Sequence, residues 1–462
     1  MQILPSLSTL APTLRQRREK LAQRVDFPAI LWSGQPSPRN FPKNLYPFRA
    51  SSHFIYFAGI QLPDAAIALD RGQLHLFADE APPSNTLWHG ETPSRSEIAA
   101  AIGADAHYPK TELRSRLAEA ATLPASDRLT QLEQADLLGR SVLPVADLPP
   151  EHRDRQLAEA IVSLRLIHDL SAIADLRQAA ACTVEAHYAG MHATAHATTE
   201  AKVRAAMEGA ILARNFTCAY NSIVTVRGEI LHNESYANPL NTDDLILADV
   251  GAETPTGWAA DVTRTWPVSG RFSATQRDLY ELVRLAHDAC IAKIAPGVEY
   301  REVHLLAAEI IAEGLVNLGI LRGKPEDLVA MDAHALFFPH GVGHLLGLDV
   351  HDLEDLGDLA GYATGRVRSD RFGLGYLRLD RPLQPGMLVT VEPGFYQVPA
   401  ILNDPERRSR YSEVVNWDRL SRFQDVRGIR IEDDVLITEN GSEILTDALP
   451  VEAAAIEQIV RQ

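Results

Sequence analysis

Cysteine is scarce in this sequence. Only three occur, Cys182, Cys218 and Cys290, far apart and never as a CxxC pair. That excludes a disulfide framework or a thiolate zinc knuckle and fits a reducing cytosol. No run of about 18 apolar residues is present, so no membrane span is expected. Arg15, Arg17, Arg18, Lys20 and Arg24 stand near the start, but no continuous apolar segment follows, so no signal peptide is expected either. Positive charge is also in short supply: 44 Lys and Arg face 61 Asp and Glu, a formal charge of −17. Such a balance argues against nucleic acid or an anionic membrane as a partner. The GxGxxG and GxxxxGKS/T phosphate loops and the Gly-x-Ser-x-Gly nucleophile elbow are missing as well.

What is present is an ordinary globular composition, 46% hydrophobic and 23% charged over 462 residues, enough for two or three domains. Residues 11–25 read as an amphipathic helix. The runs 29–32, 53–57, 65–69 and 74–77 read as short strands punctuated by Gly34, Gly59, Pro63 and Gly72, with helical patterns near 95–102 and 112–121. Alternating strands and helices predict an α/β N-terminal domain over 1–155, closed by Pro144, Pro149 and Pro150. Residues 156–462 read as a second, α+β domain that includes linking helices. One of these spans about 171–194, and its neighbourhood (His168, His187, His192, His196) is scaffold. A second helical block covers about 274–320.

The chain is organised around Phe337-Phe338-Pro339-His340-Gly341-Val342-Gly343-His344, continuing through Leu345-Leu346-Gly347-Leu348-Asp349-Val350 to His351-Asp352. Pro339, Gly341 and Gly343 oppose a helix, so a loop running into a buried strand, 345–350, is expected. Histidines framed this closely by glycines point to a metal or substrate site that needs carboxylate partners. Asp249 and Asp261 supply them on two strands joined by the turn Thr254-Pro255-Thr256-Gly257. A carboxylate in an apolar strand is costly unless paired or metal-bound, and two on adjacent strands repel unless a cation is shared. In Thr390-Val391-Glu392-Pro393, period-two alternation puts Thr390 and Glu392 on one face; in Gly428-Ile429-Arg430-Ile431-Glu432, Arg430 and Glu432 share a face. Asp433 and Asp434 read as solvated or strand-end residues. Four carboxylates with one or two histidines suit two divalent ions such as Mn²⁺ rather than a thiolate site. Two such ions about 3.5–4 Å apart activate a water and polarise a carbonyl oxygen.

The Pro-His-Gly-x-Gly-His-x-x-Gly-x-x-x-His-Asp, Thr-Val-Glu-Pro-Gly and Gly-x-Arg-x-Glu-Asp patterns resemble the pita-bread metallopeptidases, in particular the proline dipeptidase (prolidase) and aminopeptidase P branch. The resemblance is strongest over 215–446. It implies a pita-bread (creatinase/aminopeptidase-like) catalytic domain behind a creatinase/prolidase-type N-terminal domain. It implies metal ligands at Asp249, Asp261, His344, Glu392 and Glu432, with Asp261 and Glu432 bridging two divalent ions, Mn²⁺ first and Co²⁺ or Zn²⁺ as alternatives. It further implies substrate contacts from His232, His340 and His351, the last two stabilising charge during turnover, and a proton-carrying role for Glu392. Arg378 resembles the prolidase arginine that grips a dipeptide carboxylate, and Trp88 a tryptophan that reaches a neighbouring subunit's site. One departure stands out. Asp249 and Asp261 are separated by one residue more than is usual in the family, and that residue must be absorbed in the turn or a bulge.

The expectation is therefore a cytoplasmic, homodimeric, two-metal peptidase that hydrolyses the Xaa-Pro bond of dipeptides, with Arg378 and the 398–424 insertion favouring that size. The alternative is an aminopeptidase P that removes the residue before proline in longer peptides. Less favoured are a catalytically silent pita-bread binding protein and a phosphotriester-hydrolysing side activity. Neither nucleic acid nor a membrane is expected as a partner.

Overall fold

In a computed structural model the chain is described for residues 3–117 and 119–462. It divides into two units. The first runs to Leu166 and takes in Asp355–Ala360; the second holds Ile167–Glu354 and Gly361–Gln462. The division thus falls one helix later than the composition break near 155, because the helix Arg153–Arg165 packs on the first unit's opening helix, Ile3–Ala22.

The first unit is built on a mixed sheet of β1 (Ala29–Trp32), β2 (Ala66–Asp70), β3 (Gln73–Phe77), β4 (Ala106–Tyr108) and β5 (Ala121–Thr122), in the order β4-β3-β2-β1-β5. Alternate residues Ile30 and Trp32, Ala66 and Ala68 point to one face and pack with Phe77 and Leu113. The expected strand at 53–57 is instead the helix Ser52–Ala58, every residue of it buried. An apolar run buried on all sides has no period to read. Gly59, in the left-handed region at φ 69°, closes that helix by donating its N–H to the Ile55 carbonyl. The helical pattern over 112–121 is realised as Leu113–Leu117, with residue 118 outside the described residues. Trp88 sits on the short helix Asn85–His89 with its surface exposed.

In the second unit the long helices Leu170–Thr194, Glu200–Ala213, Ala274–Lys293 and Tyr300–Asn317 pack in pairs. Their starts are fixed by side chains that satisfy the first free amides: Asp169 accepts from the Ala172 N–H, and Ser273 forms a reciprocal capping box with Gln276. The strands are short and fall into four small sheets. They are β6 (Thr217–Cys218), β7 (Ile223–Thr225), β8 (Leu245–Asp249), β9 (Ala252–Glu253), β10 (Thr263–Pro267), β11 (Leu388–Val391), β12 (Gly394–Tyr396), β13 (Gly428–Arg430), β14 (Asp433–Thr438) and β15 (Gly441–Ile444). The stretch 345–350 is not a regular strand. It makes isolated bridges, Leu345 to Val389 and Leu346 to Val350, because the chain turns back on itself at Gly347. No helix among the described residues is long and apolar enough to cross a membrane.

Burial pushes the pKa of His187 and His304 down to about 4 and that of His334 to about 3. These rings are neutral when folded, whereas an unfolded histidine titrates near 6.5. Between those values the unfolded chain binds more protons, so their stability contribution is complete above about pH 6.5 and is lost as the pH falls. Each contributes a slope of roughly 1.4 kcal/mol per pH unit. His304→Gln keeps a donor for the Gly373 carbonyl, which His304 Nε2 meets at 2.8 Å. Denaturant unfolding of this variant should show a shallower loss of stability between pH 6.5 and 4.5 than the parent; an identical slope would refute the assignment.

Candidate metal centre

Two β-ladders deliver the carboxylates. In the first, β8 pairs antiparallel with β10, Asp249 opposite Thr263. The same register resumes beyond it, with Val250 N donating to Val262 O at 3.0 Å and Glu253 opposite Ala259. Asp261 therefore lies opposite Gly251, two residues from Asp249, and both aspartates share a face. The longer spacing is absorbed wholly in the turn after Glu253, where Thr254 N donates to Trp258 O at 2.9 Å. Gly251 is required at this point: a Cβ there would fall 1.8 Å from the Ala260 carbonyl oxygen and 2.8 Å from the Tyr220 ring. Tyr220 uses that space to reach both aspartates, its hydroxyl 2.5 Å from Asp249 Oδ1 and 2.6 Å from Asp261 Oδ1.

In the second ladder, β11 pairs with β14, Val391 opposite Asp433, and β12 pairs with β13, Gly394 opposite Arg430. One register runs through both pairings, so Glu392 and Glu432 face each other between them and Arg430 follows on the same face. The ladders are stitched together by Glu432 N donating to Thr263 O at 3.0 Å and Thr263 Oγ1 donating to Glu432 Oε2 at 2.7 Å. The histidine segment lies along β11: Thr390 N donates to His344 O at 3.0 Å and Glu392 N to Val342 O at 2.8 Å. Gly343 permits this closeness, since a Cβ would meet the Thr390 carbonyl oxygen at 2.1 Å and the Tyr300 hydroxyl at 2.2 Å.

The result brings all five expected ligand residues together. Ligating atoms of Asp261, His344 and Glu432 lie within 4.8 Å of one another. His344 Nε2 is 3.4 Å from Asp261 Oδ2 and 3.8 Å from Glu392 Oε1, while its Nδ1 faces the Leu345 carbonyl at 2.9 Å. With Nδ1–H given to that carbonyl, Nε2 presents a lone pair to the carboxylates, as a metal-binding imidazole does. Asp249 adds a salt bridge from Arg430 Nη2. Arg430 also donates through Nε to Thr263 Oγ1 at 2.9 Å and through Nη1 to the Tyr396 hydroxyl at 3.0 Å.

The electrostatics test whether cations fit. Burial raises the Asp249 pKa to about 6 against the pull of Arg430, and Glu392 to about 7 against His344 and Arg430. Burial, then Asp261 and Glu392, push Glu432 well above the carboxylate range. Burial also acts on Asp261, but His344 and the Tyr220 hydroxyl outweigh it and hold its pKa low. One guanidinium cannot balance three buried carboxylates and the partly exposed Glu392 beside them, and oxygen-rich ligands with one imidazole suit hard or borderline divalent ions. The residues fit such ions.

A cavity of about 380 Å³ opens onto this cluster, lined also by Leu231, His232, His340, His351, Tyr376, Arg378 and Ile401. His232, His340 and His351 thus line the cavity, and Ile401 brings the 398–424 insertion to the wall. His340 is tied at both nitrogens, Nδ1 to Gly341 O at 2.8 Å and Nε2 to the Tyr396 hydroxyl at 2.9 Å. Burial and Arg430 lower its pKa to about 3, so it is neutral. His351 packs edge-on to His344 with ring centroids 4.2 Å apart, and its Nδ1 is 3.3 Å from Glu354 Oε2. Because a carboxylate only accepts, Nδ1 carries the proton, and Nε2 donates to a substrate only when the ring is charged.

Arg378 departs from its expected state. Its Nη1 is already engaged by both oxygens of Glu354, at 2.9 and 2.7 Å. Asp433 and Asp434 are not solvated. Asp433 is buried against Arg264, Thr446 and His287, and Asp434 accepts from the Asp261 N–H at 3.3 Å. His187, assigned to scaffold, meets the Val250 carbonyl at 3.2 Å, one residue from Asp249. Sequence reading gave no sign of Tyr220 or Tyr396, which sit outside every motif; Thr263 shares the Asp261 face by alternation and was within reach.

Residues 174–439 match metallopeptidase family M24, and residues 14–128 match the aminopeptidase P N-terminal domain. A probable Xaa-Pro aminopeptidase of Penicillium rubens is 34% identical over 416 residues, 87% of this chain and 86% of the relative. Another, from Uncinocarpus reesii, is 32% identical over 430 residues, covering 90% and 86%. Among solved structures, Pseudomonas aeruginosa aminopeptidase PepP superposes with TM-score 0.80 at 29% identity, covering 98% of each chain. A variant Escherichia coli aminopeptidase P in complex with substrate gives 0.78 at 28%, covering 97% of each.

Gly343→Ala should destabilise the chain by about 1–3 kcal/mol or more, since the obstructing Thr390 atom is backbone and cannot swing away. Denaturant unfolding measures it, and a change below about 0.5 kcal/mol, the range of an ordinary surface substitution, would contradict the close approach.

Proposed function

The chain belongs to metallopeptidase family M24, with an aminopeptidase P-type N-terminal domain ahead of a pita-bread catalytic domain, and on this premise we propose that it is an Xaa-Pro aminopeptidase. Two divalent ions held by Asp249, Asp261, His344, Glu392 and Glu432 would supply an activated water and polarise the carbonyl before proline. Mn²⁺ is the first choice for so oxygen-rich a set.

The chain's own groups do the rest. Tyr220 and Arg430 fix Asp249 and Asp261, and Thr263 fixes Glu432, so the site is set before substrate arrives. Glu392 faces the cavity beside His344 and carries a proton to the departing proline nitrogen, which has no hydrogen of its own in the imide. His351 presents Nε2 to the substrate, with Glu354 orienting its ring. His340 braces Tyr396 and with it Arg430, and His232 lines the same cavity. A homodimer, with the exposed Leu87 and Trp88 as surface to cover, and a cytosolic setting suited to three unpaired cysteines belong to the same reading.

The observation that carries the choice between peptide lengths is the Arg378–Glu354 pair. A dipeptidase needs a cation for the carboxylate on proline, and Nη1 of this guanidinium is held by Glu354, whose charge offsets its own. The relatives named as Xaa-Pro aminopeptidases support the same choice over the dipeptidase expected from the sequence. Cleavage of an Xaa-Pro-Yaa tripeptide should exceed that of the Xaa-Pro dipeptide in kcat/KM; the reverse preference would restore the dipeptidase. Glu432→Ala should lose both retained Mn²⁺, measured by elemental analysis, and turnover. Full activity in a metal-free variant would defeat the two-ion reading.

A further inference from the structure

We infer that Glu354 is a specificity residue: its carboxylate stands in for a substrate carboxylate on Arg378 and so turns the site away from peptides that end at proline. The inference deepens the Xaa-Pro reading above and rests on it.

Arg378 lines the cavity that holds Asp261, His344 and Glu432. Its guanidinium donates to both oxygens of Glu354, and one of those oxygens is also 3.3 Å from His351 Nδ1. Glu354 thus bridges the two cationic or donor groups on that wall that a terminal carboxylate would seek. The backbone that places it is unusual. His351 and Leu353 lie in the left-handed region at φ 56° and 66°, neither being glycine. Such a backbone is unfavourable for residues with a Cβ, and its persistence marks a segment held in place by its surroundings. The turn closes with Glu354 N donating to His351 O at 3.2 Å.

The chemical consequence follows from the substrates. In an Xaa-Pro dipeptide the proline bears a carboxylate; in a longer peptide the same position is a neutral carbonyl. A free arginine on the wall would favour the dipeptide through a charge-assisted fork. An arginine whose charge is offset by Glu354 at Nη1 offers less of that gain, and the Glu354 charge repels an incoming carboxylate. Both side chains are 36% exposed, so screening keeps the effect moderate.

The cleanest probe is an Xaa-Pro dipeptide against its Xaa-Pro-amide, which differ only in the terminal charge. E354Q removes the internal charge at constant shape and should raise the acid-to-amide ratio of kcat/KM about tenfold, mainly through KM. E354D, which keeps the charge, should stay near the parent ratio, and the double variant E354Q/R378Q should return to it. E354A serves if E354Q does not fold. An unchanged ratio in E354Q, or an equal rise in the double variant, overturns the inference. Equal losses for both substrates would mean that Glu354 only positions His351, which overturns it too. Calorimetric binding of L-proline against L-prolinamide reads the same ratio without turnover. A protein that cleaves neither peptide but shows the shifted binding ratio would sink the peptidase reading and keep the role of Glu354.

Discussion

Everything around the site answers to an excess of buried negative charge. Asp249, Asp261 and Glu432 converge in the interior with Glu392 partly exposed beside them, and Arg430 is the guanidinium in direct contact with one of them, Asp249. Burial alone would force protons onto these groups, and the high pKa values of Asp249, Glu392 and Glu432 express that pressure. Divalent cations would relieve it at once and would turn an unfavourable core into a binding site. Selecting carboxylates with one imidazole, and no thiolate, then follows from the hardness of the ions.

Holding like charges together demands a scaffold that cannot relax. The scaffold is a matter of register. A single unbroken pairing through β8 and β10 sets both aspartates on one face, and another through β11–β14 and β12–β13 sets both glutamates opposite each other. A slip of one residue in either would turn a ligand away from the cluster. Behind the ligands, Arg264 donates to the Glu432 carbonyl at 2.6 Å and pairs with Asp433, which His287 and Thr446 also hold. Polar residues buried one layer back thus restrain backbone positions in front, the usual way in which a charged site is kept rigid.

Much of this was visible in the sequence. Strand alternation put Glu392 and Glu432 on faces with Thr390 and Arg430, and glycines framing His344 marked a close approach that Gly343 makes against Thr390. Local patterns could not disclose partners remote along the chain. Asp433 reads as a strand-end acid, and its burial depends on Arg264, 169 residues away. Tyr220 belongs to no motif, so only geometry shows that it joins the two aspartates. Aromatic and β-branched residues over 53–57 favour a strand, yet burial on every side erases the periodicity that separates strand from helix. The spacing of Arg378 from Glu392 resembles the family pattern, and distance along the chain does not reveal that Glu354 holds its Nη1.

We propose that divalent ions reconcile the clustered carboxylates. The most direct measurement is the number of Mn²⁺ ions that the purified chain retains after chelator treatment, reloading and gel filtration, together with the shift in unfolding temperature. About two ions per chain and a clear rise in that temperature are expected, as binding to the folded state alone requires. A chain that retains no ion and is not stabilised by Mn²⁺, Co²⁺ or Zn²⁺ would contradict it.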